Sequence, residues 1–81
     1  MNECKYRAVM LNTGEFLECP TFKPIWGALK YHVDENPRIE IYVWGVHVST
    51  ISTAPNGRIY YRRIGSLKMF DVTAEFARFI D

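Results

Sequence analysis

The segment "RIEIYVWGVHVSTIS" (residues 38–52) decides how the sheet is built. Its apolar residues occupy odd positions before Gly45 and even positions after it, at Ile39, Ile41, Val43, Val46 and Val48. Alternation of this kind is the period of a strand with one buried face. A strand cannot change its buried face without an extra residue, so we predict one long strand with a bulge or a sharp bend at Trp44–Gly45. All five apolar residues then point inward.

The next segment, "TAPNGRIYYRRIG" (residues 53–65), is the strongest turn signal in the chain. Asn-Gly pairs adopt the positive φ angles that tight hairpin turns need, so residues 58–64 are predicted to pair with the long strand. Alternation places Ile59 and Tyr61 inward. The opposite face then receives Arg58, Tyr60 and Arg62. A further short strand is predicted over residues 67–70.

The N-terminal part begins with a second hairpin, formed by residues 5–11 and 15–19 around "NTGE". A helix is predicted from Thr21 or Lys23 to Val33, because apolar residues recur there at helical spacing. A last helix is predicted over residues 72–80, with Asp71 as its cap. Its apolar stripe is Val72, Phe76, Phe79 and Ile80.

This element order, ββαββ(β)α, predicts an α+β fold. Each helix has a single apolar stripe, and one sheet face can cover both stripes. We therefore expect an antiparallel sheet of four to five strands with two helices packed on one face. We expect residues 1–81 to form a single compact domain. The other face of the sheet is then open to solvent or to a partner.

Composition excludes several classes of protein. Hydrophobic residues make up 48% and charged residues 23% of the chain, as in folded soluble domains. The net charge of +1 argues against a purely electrostatic DNA binder. The charge cluster of the chain lies between Arg58 and Lys68, with four basic residues and no acidic one. No apolar run is long enough to span a membrane and no signal-peptide pattern is present, so we predict a cytoplasmic protein without a membrane partner.

The sequence offers no catalytic, metal or cofactor motif. His32, His47, Cys4 and Cys19 lack the spacing of metal ligands. Ser49 near His47 has no orienting carboxylate to make a nucleophile. The five glycines do not cluster into a phosphate-binding loop. We therefore predict a protein that is not an enzyme and that uses no metal and no cofactor.

The predicted open face combines aromatic and basic side chains. Its candidate partner-binding residues are Tyr42, Trp44, His47, Arg58, Tyr60 and Arg62. Rings and arginines on a sheet anchor protein interfaces, because Tyr, Trp and Arg supply most interface hot spots. The same groups stack single-stranded nucleic acid, and they also stabilise sheets as cross-strand pairs. All three interpretations are open from the sequence.

The leading functional hypothesis is a small non-catalytic protein-binding module. A chain of this size that begins at its own Met and lacks motifs is typical of the small proteins of phages and mobile elements, anti-CRISPR proteins among them. The predicted role is therefore an inhibitor that blocks a host enzyme or nucleoprotein by steric occlusion. The alternative is a nucleic-acid-binding domain that uses the aromatic and basic face together with Arg63. A homodimer through that face or an edge strand is a third hypothesis.

Overall fold

Six antiparallel strands form one sheet in the computed structural model, which describes residues 3–76. The strands are β1 (Tyr6–Met10), β2 (Phe16–Cys19), β3 (Arg38–Val43), β4 (Val46–Thr53), β5 (Ile59–Arg63) and β6 (Phe70–Asp71). The helices are α1 (Phe22–Ala28), which continues into a 3₁₀ turn over Leu29–Tyr31, and α2 (Thr73–Phe76). The strand order in the sheet is β2-β1-β3-β4-β5-β6. The predicted α+β class with an antiparallel sheet and two helices is confirmed, although the sheet has six strands instead of four to five.

The additional strand arises at Trp44–Gly45, where the predicted long strand is a hairpin. Both turn residues have positive φ, 48° at Trp44 and 78° at Gly45, as the tightest hairpin turns require. Val43 and Val46 pair directly across this turn. The predicted sharp bend is therefore in the right place, but the prediction of one strand over residues 38–52 is wrong. Tryptophan is an unusual residue for positive φ, which costs a side chain about 1–2 kcal/mol, so Trp44–Gly45 is not an ordinary turn signal.

A β-bulge does occur, but it lies further along β4 than predicted. Ile41 pairs with Ser49 and Tyr42 pairs with His47, so Val48 is the extra residue. The bulge leaves Ser49 only 1% exposed and packs Val48 against the core. Val46, predicted to be buried, is 62% exposed because the chain has just reversed at the turn.

One apolar core lies between the sheet and the helices. It contains Ala8, Met10, Ile25, Leu29, Val33, Ile39, Ile41, Ile51, Ile59, Val72 and Phe76. Since α1 contributes Ile25 and α2 contributes Phe76 to the same cluster, both helices lie on one face of the sheet. Gly27 of α1 is not in close contact with a strand, because a Cβ at this position would meet nothing within 4 Å.

Helix α2 begins where side chains satisfy its first backbone groups. The Asp71 carboxylate accepts the backbone N–H of Thr73 at 2.9 Å, in agreement with its predicted capping role. The Thr73 hydroxyl accepts the backbone N–H of Ile59 at 2.8 Å, which ties the helix to β5. Of the helix predicted over residues 72–80, residues 77–80 lie outside the described residues.

Candidate functional site

Tyr42 and His47 lie side by side on the open face of the sheet. Their rings stack with centroids 5.2 Å apart and planes inclined by 27°. The Tyr42 hydroxyl donates to Glu40 at 2.9 Å, and His47 Nε2 lies 3.1 Å from the Thr50 hydroxyl. The hydrogen bond to Glu40, with partial burial, raises the pKa of Tyr42 above its ordinary value. Four neighbouring side chains are thus held by contacts with one another.

Trp44 lies at the tip of the β3–β4 hairpin, not on the plane of the sheet. Its side chain is among the exposed large apolar groups, and the residue as a whole is 57% exposed. Its backbone N–H donates to the carbonyl of Lys5 at 2.8 Å, which fixes the turn against the start of β1. Trp44 therefore presents an exposed side chain at the turn between β3 and β4.

The three predicted residues of the β5 segment, Arg58, Tyr60 and Arg62, lie elsewhere on the open face. Arg58 forms an ion pair with Asp71, and its Nε lies 3.0 Å from the carboxylate. The hydrogen bonds from Thr73, together with Arg58, lower the pKa of Asp71 to about 2. The Nε of Arg62 donates to the carbonyl of Ser66 at 2.9 Å.

The fold therefore divides the six predicted partner-binding residues into two groups. Tyr42 pairs with His47, whereas Tyr60 pairs with Ser52, five positions further along β4. Because Val48 is the extra residue of the bulge, the separation is counted along β3, where the partners of His47 and Ser52 are Tyr42 and Arg38. These are four residues apart, or about 13 Å at about 3.3 Å per residue. The rings of Tyr42 and Tyr60 consequently do not form one continuous stacking platform.

The largest cavity lies on the helix side of the sheet, between α1, β5 and β6. This apolar groove has a volume of about 640 Å³, and its walls are Phe22, Trp26, Tyr61, Phe70 and Val72, with Lys23 and Glu75 completing the lining. The rings support one another, since Trp26 contacts Tyr61 at 6.2 Å and Phe22 at 5.6 Å between centroids. The groove is an apolar surface built on a rigid aromatic base.

A loop of exposed apolar side chains connects β5 to β6, and the first residue of β6 lines this groove. Residues 64–69 connect β5 to β6, and we call them the apolar loop. Leu67 is 95% exposed, Ile64 is 58% exposed and Met69 is 53% exposed. Phe70, which follows directly, is 50% exposed and lines the groove. Contiguous exposed apolar groups of this kind mark interaction surfaces.

A second cavity, on the open face, is basic. This arginine pocket has a volume of about 240 Å³ and includes Arg38, Arg62 and Arg63 in its lining. The hydroxyl-bearing residues Thr50, Ser52 and Tyr60 line it as well. The apolar loop closes one side through Ile64, Gly65 and Met69. Strand β5 lies between the two cavities, because Tyr61 lines the apolar groove and its neighbours Tyr60 and Arg62 line the arginine pocket.

The apolar groove was not predicted from the sequence, because the residues predicted to face inward were assigned to the core. Phe22 lies in the apolar stripe of the predicted first helix and Trp26 lies at the edge of that stripe. Tyr61 was predicted to face inward, where it does pack against the core. The sequence signal that could have indicated a binding surface lies in residues 64–70. Four large apolar residues occur there within seven positions, Ile64, Leu67, Met69 and Phe70, and a two-residue strand is too short to bury them.

Comparisons with known proteins add no assignment: no family model, curated protein or solved structure matches the chain. Within residues 3–76, no group of three or more His, Cys, Asp or Glu side chains could hold a metal ion. Neither helix in that part of the chain is both long and apolar enough to cross a membrane.

Proposed function

We propose that the chain is a small non-catalytic protein-binding module that holds its partner through the apolar groove and the apolar loop. The observation that carries this proposal is the exposure of Phe70 in the wall of the groove, together with that of Leu67 and Met69 in the loop that precedes it in the chain. Fully burying one side chain of this size contributes about 1.5–3 kcal/mol, so a partner gains most at this end of the molecule. The aromatic base supplies the large rings from which interface hot spots are built.

The charges around this surface indicate the chemistry of the partner. Residues 59–70 contain three basic side chains, Arg62, Arg63 and Lys68, and no acidic one. Complementary charge steers association and suppresses incorrect partners. The proposed partner is therefore a protein whose contact surface carries an apolar anchor flanked by acidic groups. Blocking a host enzyme or nucleoprotein by steric occlusion, in the manner of a phage inhibitor, is the form of this function that we favour.

The alternative function, nucleic-acid binding, is favoured by the arginine pocket and the neighbouring Tyr60. A binding assay with a labelled single-stranded oligonucleotide across a salt series separates the alternatives. A nucleic-acid site that contacts several phosphates loses affinity steeply as salt rises, with a logarithmic slope of about −0.7 for each phosphate on a single strand. A protein-binding module gives no binding at low salt to an oligonucleotide that lacks a terminal phosphate.

The proposed surface can be tested by photo-crosslinking in the cells that naturally contain the protein. A photoreactive phenylalanine replaces Leu67 in one variant and Tyr31 in a control, because Tyr31 is 71% exposed but lies away from the groove. We expect one protein to be crosslinked at position 67 and not at position 31.

The crosslinked protein is then purified and titrated with the unmodified chain and with Leu67→Ser. The proposal requires Leu67→Ser to weaken this affinity while the free chain melts at an unchanged temperature. A crosslinked product that proves to be a second copy of the chain, or an affinity that Leu67→Ser leaves unchanged, would contradict it.

A further inference from the structure

The arginine pocket is lined by three arginines that no carboxylate within residues 3–76 neutralises. Within residues 3–76, ion pairs form between Arg7 and Glu18 and between Arg58 and Asp71. No carboxylate in that range forms such a pair with any of the three arginines of the pocket, Arg38, Arg62 and Arg63. Three neighbouring positive charges repel one another, and an anion bound among them removes that repulsion.

The strand register explains why Arg38 and Arg62 meet, whereas Arg63, which pairs with the buried Ser49, lines the pocket as the residue that follows Arg62. On the open face, Arg38 of β3 pairs with Ser52 of β4, and the next open-face position of β4, Thr50, pairs with Arg62 of β5. The carboxylate nearest to them in register, Glu40, is the acceptor for the Tyr42 hydroxyl and does not line the pocket. The pocket is therefore positive, although the whole chain carries a net charge of only +1.

The donors in the pocket are suited to a tetrahedral oxyanion. The bond from Arg62 Nε to the carbonyl of Ser66 fixes one edge of the guanidinium, at 2.9 Å, and leaves its terminal nitrogens available. Arginine forks bind phosphate oxygens through paired, charge-assisted hydrogen bonds. The hydroxyl groups of Ser52 and Thr50 add neutral polar contacts to the same lining.

We propose that the arginine pocket binds a single phosphate group. A volume of about 240 Å³ lies below the range of about 300–1,000 Å³ that holds drug-sized ligands, so the pocket suits one small anion. The other arginines of the open face, Arg7 and Arg58, are already paired and do not extend the pocket into a track for successive phosphates. The phosphate can be a free anion or the end group of a larger ligand, which the test distinguishes.

The test is NMR titration of the full chain with inorganic phosphate, at low ionic strength and constant pH, observing the arginine Nε–H signals. Sodium chloride at equal ionic strength is the reference anion. We expect saturable shifts of the Arg62 Nε–H and of the Gly65 and Ser66 amides with phosphate and not with chloride. Arg62→Gln should weaken phosphate binding about tenfold or more, the effect of losing a charged hydrogen bond. Arg7→Gln, which removes the same charge outside the pocket, should leave it unchanged.

A second titration uses a short single-stranded oligonucleotide with a 5′-phosphate and the same oligonucleotide without it. Binding of only the phosphorylated form, with a salt slope of about −0.7, identifies the phosphate as an end group. Binding of neither form, with phosphate still bound, identifies it as a free anion. Equal binding of both forms with a slope several times steeper would overturn the proposal in favour of a backbone track. The proposal would also be overturned if binding does not saturate by about 10 mM phosphate, or if Arg62→Gln and Arg7→Gln weaken phosphate binding equally.

Discussion

The two faces of the sheet satisfy their side chains in different ways. On the open face, polar groups meet partners on the sheet itself, as in the Arg7–Glu18 ion pair between β1 and β2 and the Tyr42–Glu40 hydrogen bond within β3. On the helix side, the core continues into an apolar groove that no described residue fills. Aromatic and charged composition alone therefore does not locate a binding surface. The side chains that the fold leaves without a partner locate it.

Energetic magnitudes favour the helix side as the stronger contact. Cross-strand pairs contribute about 0.2–1 kcal/mol each to the stability of the sheet. A partner that breaks such a pair to make its own contact therefore gains little binding free energy. Burying an exposed Leu or Phe side chain contributes about 1.5–3 kcal/mol and sacrifices no existing contact. A partner that covers Leu67 and Phe70 therefore gains more than one that covers Tyr42 and His47.

The largest effect that tests this comparison comes from adjacent residues on opposite faces of β4. Ile51 is 1% exposed and belongs to the core, whereas Thr50 lies on the open face beside His47. We expect Ile51→Ala to lower the free energy of unfolding by about 3 kcal/mol, because it leaves a cavity. Thr50→Ala should cost less than about 1 kcal/mol, the value of one exposed hydrogen bond.

Urea denaturation of both variants, followed by circular dichroism, measures this difference. Equal slopes of the unfolding free energy against urea concentration show that both variants unfold in the same two-state manner. Similar losses in the two variants would mean that the open face is packed as tightly as the core, and the contrast between the faces would fail.

A smaller effect tests whether the polar pairs of the open face act as structural contacts. The folded pKa of Asp71 is about 2, below its ordinary 3.8, so the charged form favours the folded state. This contribution is complete above the ordinary pKa and is lost as the pH falls from about 4 through about 2. Asp71→Asn keeps an oxygen acceptor for Thr73 but removes the charge.

We therefore expect the urea midpoint of Asp71→Asn to fall less than that of the unmodified chain between pH 4 and pH 2. Asp34→Asn, which removes a charge at an exposed position, is the matched control and should retain the dependence of the unmodified chain. If Asp71→Asn and Asp34→Asn follow the same curve, the Arg58–Asp71 pair has no structural role, and Arg58 is free to bind a partner.

Much of the fold could be predicted because local pattern and tertiary structure agree. The Asn56–Gly57 turn, the alternation of Ile59 and Tyr61 and the capping by Asp71 were all readable from neighbouring residues. The extra strand could not be predicted in this way, because Trp44 adopts a positive φ that its side chain disfavours. Only the pairing of Val43 with Val46 in three dimensions shows that the chain reverses at this point instead of forming a bulge.

The binding surfaces were less accessible to sequence reasoning. Alternation correctly placed Tyr42 and Tyr60 on the same face, but it carried no information on their distance along β4. The apolar groove depends on how α1 and β6 approach each other around Trp26. The spacing between α1 and β6 is a property of the tertiary structure, and the hydrophobic periodicity within one element does not encode it.

The most direct test of the central claim is the affinity of the purified partner for two exposed-residue variants. Leu67→Ser removes the most exposed apolar side chain of the apolar loop, and Trp44→Asn removes the exposed ring at the open-face turn. Asparagine tolerates positive φ, so Trp44→Asn should retain the hairpin. Isothermal titration calorimetry should show a loss of about 30-fold or more with Leu67→Ser, typical of a hot spot, and little change with Trp44→Asn. The opposite result, with affinity lost in Trp44→Asn and kept in Leu67→Ser, would place the interface on the open face and contradict this account.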